Sequence, residues 1–99
     1  MNFGLPEKTI EQICKFFSTI PEVNEVRVFG SRALGNYEKA SDIDLVFITD
    51  SEKDLTAHLL AELDELPTPY FFDLKDYNRI TNLDLKDHID RVGKILYKK

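Results

Sequence analysis

The sequence predicts a small α/β (α+β) domain, a mixed β-sheet flanked by helices, and three observations support this. Segments whose apolar residues recur at helical spacing alternate with segments of strand character. No repeat, linker or low-complexity stretch interrupts them. A chain of 99 residues has room for one core of useful size and no second, so a single unit is expected over residues 1–99. Alternating helices and strands bury their apolar sides by laying helices on a sheet.

Each element has its own warrant. From Glu7 to Ile20, the residues Ile10, Ile13, Cys14 and Phe17 share one helix face, Pro6 stands where a helix start tolerates proline, and Pro21 ends the helix; Cys14 is expected in the core. Val23–Phe29 follows as a strand, with Val26 and Val28 alternating against Arg27 and Phe29 until Gly30. Gly35, Asn36 and the polar stretch to Ser41 read as a short helix running into a loop. DIDLVFIT is the second strand, apolar on both sides beyond its first residues and therefore buried on both. Asp50 or Ser51 can cap a helix in which Leu55, Leu59, Leu63 and Leu66 face the core and the acids from Glu52 to Glu65 face water, until Pro67 and Pro69 stop it. A strand is expected at Tyr70–Lys75. The last helix has Leu85, Ile89 and Val92 on one face and Gly93 as C-terminal cap, and Ile95–Tyr97 forms a short apolar tail.

Composition excludes several classes of function. Hydrophobic residues make up 42% and charged residues 31% of the chain, ordinary for a folded soluble protein and too apolar for disorder. The net charge of −5 argues against direct nucleic-acid binding, which needs a basic footprint. No apolar run reaches the roughly 18 residues of a membrane span, and the start lacks the pattern of a signal peptide, so no membrane association and a cytoplasmic location are expected. The single cysteine excludes an internal disulfide and, with two separated histidines, the usual zinc spacings.

The chemistry lies in FGSRALGNYEKASDIDLVF. A glycine ending a strand lets the backbone turn sharply and approach a ligand, and the amides that follow at a helix start form a phosphate-binding nest, to which Ser31 adds a hydroxyl. Asp42 and Asp44, at alternate strand positions, project to one face. Paired carboxylates at the mouth of a buried strand repel one another and are costly to desolvate unless a cation balances them. Hard divalent ions such as Mg²⁺ fit such oxygen ligands, singly or as a pair that clamps a phosphoryl transfer. A third carboxylate is available in YFFDLKD, where Asp73 is the candidate and Asp76, on the opposite face, the weaker choice.

Gly30-Ser31, ten intervening residues and Asp42-Ile43-Asp44 resemble the GS-x10-DxD signature of the minimal nucleotidyltransferases, a branch of the DNA polymerase β-like superfamily. The resemblance covers nearly the whole chain. VRVFGSRALGNYEKASDIDLVFI is similar to the family's strand, Gly-Ser turn, helix and metal-binding strand; FFDLKD to the strand of its third acid; LDLKDHIDRVGKILY to its closing helix and strand. The resemblance implies the polymerase β-like nucleotidyltransferase fold, nucleotide binding by Gly30 and Ser31, and one or two Mg²⁺ ions held by the catalytic acids Asp42, Asp44 and Asp73; Arg32, next to the Gly-Ser pair, is by its charge a further candidate for the triphosphate. The resemblance also implies ATP as substrate and a HEPN-domain toxin as partner, neutralised by transfer of AMP to one of its tyrosines. The alternatives are an antitoxin that neutralises its HEPN partner by binding alone, and a small-molecule nucleotidyltransferase, which the lack of an acceptor domain disfavours.

A Gly-Ser pair alone is usually a turn, and DxD alone usually solvated charge; their phase with predicted strands and a distal acid raises both above that. Arg32 in a first helical turn is ordinarily exposed, and His58 and His88, in helical stretches beside acids, read as surface residues.

Overall fold

The computed structural model describes residues 2–99 as four strands and four helices. Helix α1 (Glu7–Ser18) follows Pro6 and buries Ile13 and Phe17. It stops two residues short of the expected end, because the amides of Thr19 and Ile20 bond three residues back, to the carbonyls of Phe16 and Phe17, and tighten the chain ahead of Pro21. Cys14 lies half-buried at the margin of the core, its thiol donating to the Leu96 carbonyl at 3.3 Å.

Strand β1 (Val23–Phe29) occupies the expected span. The short helix α2 (Gly30–Leu34) begins directly at its end and precedes Gly35, instead of starting there: Gly35 takes φ +87° and closes the helix as a left-handed cap. Strand β2 (Ile43–Thr49) is buried on both faces along its middle, with Leu45, Val46 and Phe47 inaccessible.

Neither Asp50 nor Ser51 caps helix α3 (Thr56–Leu63). The Asp50 carboxylate accepts from the Asn24 side chain, and the Ser51 hydroxyl accepts from the Lys53 amide. Asp54 accepts from the Thr56 amide instead, so the helix starts later than the sequence suggests. Strand β3 (Phe72–Asp76) is likewise displaced toward the C-terminus of its expected span. A 3-10 turn (Tyr77–Arg79) leads to α4 (Leu83–Val92) and β4 (Lys94–Lys98). Gly93 caps α4 at φ −58°, not in the left-handed region. Its need for glycine is spatial: a β-carbon would lie 2.5 Å from the Ile89 carbonyl oxygen.

The strands form one mixed sheet in the order β3-β2-β1-β4, with β1 antiparallel to β2 and β4 and with β2 parallel to β3. Alternation divides its two faces. Val26, Val28, Ile43, Leu45, Phe47, Phe72 and Leu74 join Ile13 and Phe17 of α1 and Leu59 and Leu63 of α3 in the main core. Phe29 and Val46, in the opposite phase, pack with Ile89 of α4 in a smaller cluster. Among the described residues no helix is long and apolar enough to cross a membrane.

Candidate active site

The smaller apolar cluster matters because the acids share its face of the sheet. Asp44 precedes Val46 by two residues on β2 and therefore points with it. In the parallel β2–β3 ladder Asp44 is the register partner of Asp73, and in the antiparallel β1–β2 ladder it is the partner of Phe29. Backbone pairing thus sets two carboxylates side by side at the end of β1, where the chain turns into α2.

That corner is built on Gly30, whose φ of +70° puts it in the left-handed region. A β-carbon there would sit 2.3 Å from Asp44 Oδ2, so any side chain both strains the backbone and displaces the carboxylate. Ser31 follows, half-buried, at the start of α2. Asp42 lies exposed just before β2, close enough for its charge to act on Asp44.

The electrostatics follow from this crowding. Burial pushes the Asp44 carboxyl above its ordinary value, and the charges of Asp73 and Asp42 push it in the same direction, while the charge of Lys75 opposes them. Lys75 Nζ lies 3.7 Å from Asp73 Oδ1, a partly exposed pair. Since folding favours the protonated form of Asp44, its charge costs stability as pH rises through the unfolded value of 3.8, and the full cost is present above the raised native value. Asp44→Asn is therefore expected to raise Tm at pH 7 by ~1–3 °C, a small gain because the group is only partly buried and solvent screens its charge. Near pH 3 the two proteins should melt together. Calorimetry at both pH values checks this, and a variant less stable than the native protein at pH 7 would refute the repulsion.

The donor set suits a hard divalent cation. Among the described residues no three His, Cys, Asp or Glu side chains form a ready-made metal cage. Mg²⁺ does not require one, being commonly held by one or two carboxylates with phosphate oxygens and water completing its shell. Asp44 and Asp73, which repel each other when both are ionised, meet that requirement, with Asp42 at the margin.

Arg32 is not in the site. Its side chain is 1% exposed, against the expectation of either an exposed residue or a phosphate-binding cation. The guanidinium donates to the carbonyls of Phe3 at 2.9 Å, Ser41 at 2.8 Å and Lys39 at 3.4 Å, and lies between the rings of Tyr37 and Tyr70, 5.2 Å from each centroid. Buried and turned toward these carbonyls, the guanidinium is not presented to a triphosphate. Asp76 is also structural, buried beside Arg79 and accepting from the Asn78 amide. His58 is exposed and pairs with Glu62, as a surface residue does.

His88 is the residue that sequence reasoning missed. Its Nε2 accepts from the Gly30 amide at 3.1 Å, and its ring stands edge-on to Phe29. The available signal was its place beside Ile89 on a helix whose apolar stripe faces the sheet.

Residues 11–99 match the family model described as polymerase beta, nucleotidyltransferase. Among solved structures the chain is similar to a chain of a toxin–antitoxin complex with AMP-PNP, at 25% identity and TM-score 0.68, over 91% of this chain and 73% of that one. It is also similar in fold to a putative nucleotidyltransferase from Sulfolobus solfataricus, at 24% identity and TM-score 0.59, over 93% and 79%. A third likeness of fold is to a chain of the complex of a tri-AMPylated Shewanella oneidensis HEPN toxin with an MNT antitoxin, at 22% identity and TM-score 0.62, over 94% and 72%. No curated protein matches the chain.

Proposed function

Because this chain belongs to the polymerase β nucleotidyltransferase family, we propose that it is a Mg²⁺-dependent nucleotidyltransferase that moves AMP from ATP to a tyrosine of a HEPN-domain toxin and thereby neutralises it. The observation that carries this reading is the register pairing of Asp44 with Asp73 beside the Gly30 corner. Two carboxylates held at backbone spacing next to a turn where only glycine fits are poorly explained by stability, since their charges repel. They suit a site that receives a cation together with a triphosphate. The similarity to a chain crystallised in a toxin–antitoxin complex with AMP-PNP supports the choice of nucleotide and of partner class.

In this mechanism Gly30 lets the backbone come close to the phosphates, and the Ser31 hydroxyl donates to them. Asp44 and Asp73, with Asp42 at the mouth, would hold Mg²⁺, which when bound neutralises charge on the triphosphate. Asp73 would take the proton of the attacking tyrosine hydroxyl. The tyrosine oxygen then bonds to the α-phosphorus as the bond to the β-phosphate bridging oxygen breaks, releasing pyrophosphate.

Incubating the protein with a HEPN-domain partner, Mg²⁺ and ATP is expected to raise the partner's mass by one or more AMP units, read by intact-mass spectrometry. An unmodified partner whose RNase activity is nevertheless inhibited would replace this reading with neutralisation by binding. A mass gain on a small molecule alone would select the small-molecule transferase.

A further inference from the structure

The first amides of a helix have no acceptor within it, and the first amide of α2 finds one 58 residues away in the sequence, at His88 Nε2 on α4. A backbone N–H can only donate, so the imidazole accepts here with its own proton on Nδ1. The acceptor is held from two sides. The ring packs edge-on against Phe29, and the next residue, Ile89, is wholly buried against Phe29 and Val46. The amide it holds belongs to Gly30, the residue that lies against the Asp44 carboxylate with no room for a β-carbon.

We infer that His88 is the positioning residue of the Gly30-Ser31 turn. It fixes the turn against Asp44 from α4, and it removes the Gly30 amide from the groups free to meet a phosphate, leaving that task to the Ser31 hydroxyl. Its effect on the site runs through the turn, by way of the Gly30 amide. A turn released from His88 can rotate about Gly30, which has no side chain to lock it, and Ser31 loses its aim. This inference rests on the reading that Gly30-Ser31 engages a nucleoside triphosphate.

The variants that test it exploit shape. Glutamine places Oε1 the same number of bonds from Cα as His Nε2 and can accept, asparagine falls one bond short, and leucine fills space without accepting. Titration calorimetry with Mg-ATP is expected to show His88→Leu and His88→Asn binding about five- to tenfold more weakly than the native protein, the scale of one hydrogen bond, with His88→Gln restored to within about twofold of native. The Gly30 amide cross-peak in a ¹⁵N-correlated NMR spectrum should stay near its native position in His88→Gln and move in the other two. Native affinity in His88→Leu, or equal weakening in the glutamine and asparagine variants, would overturn the assignment; should the leucine variant not fold, the glutamine–asparagine pair decides alone. If the native protein itself binds no Mg-ATP, the proposed function fails, while the Gly30 cross-peak still tests the role of His88.

Discussion

Replacing Asp44 and Asp73 together by alanine is expected to slow AMP transfer about 10³-fold or more, the scale on which loss of preorganised charge stabilisation is felt, while leaving the melting temperature within a few degrees of native. The two acids are register partners on neighbouring parallel strands, and each would supply an oxygen to the same cation and neutralise the same phosphate charge. Removing one leaves the ion short of a ligand; removing both leaves nothing to place it. The fold loses little, because Asp73 is half exposed and the Asp44 charge opposes folding to begin with. Transfer of radiolabelled AMP to a HEPN-domain partner, measured beside a thermal melt, checks both halves. Turnover within tenfold of native would mean that the chemistry happens elsewhere, and a collapsed melt would mean that the pair is structural.

Arg32→Ala should have the largest effect on stability, about 3–5 kcal/mol, since it leaves several buried or part-buried carbonyls without a donor at about 1–3 kcal/mol each and removes a large buried side chain. Truncation strips partners from the carbonyls of Phe3, Lys39 and Ser41 and empties the space between Tyr37 and Tyr70. Lysine restores the charge but not the planar fork that reaches several carbonyls at once, so Arg32→Lys is expected to fall between the two. Small domains have about 5–15 kcal/mol in total, which makes the alanine variant marginal at body temperature. Urea unfolding followed by circular dichroism measures the difference, and a loss below about 1 kcal/mol would show that the segment around residues 35–41 holds its shape without the guanidinium. Ser41 leads directly into Asp42, so the same clamp shapes the entry to the acid-bearing strand.

What could be read in the sequence and what could not divide along one physical line. Period-2 alternation is a local property, and it located β1, the phase of Asp44, and the matching phase of Asp73. Gly30 was legible because a strand ending in Gly-Ser announces a corner. Arg32 was not, because its acceptors are carbonyls at positions 3, 39 and 41, and backbone carbonyls leave no mark on residue choice. His88 was misplaced for a similar reason: its partner is a backbone amide 58 residues away. The start of α3 shifted because Asp50 and Ser51, good caps in principle, are engaged by Asn24 and Lys53. Gly93 was rightly marked as a helix end, but for the wrong cause, since crowding by Ile89 and not a left-handed backbone requires it.

The alternation that sorts β2 and β3 into an apolar and a charged face also ties the fate of one to the other. If β3 slipped by a single residue against β2, Asp73 would turn inward among Phe17, Leu59 and Leu63, while Phe72 and Leu74 would be thrown out to water. Charge repulsion alone would favour some such escape, because Asp44 and Asp73 gain nothing from each other's company. Oil and water forbid it. The carboxylates are kept side by side by residues on the other face of the sheet, so that the greasy side of the sheet proofreads the alignment of the acidic one.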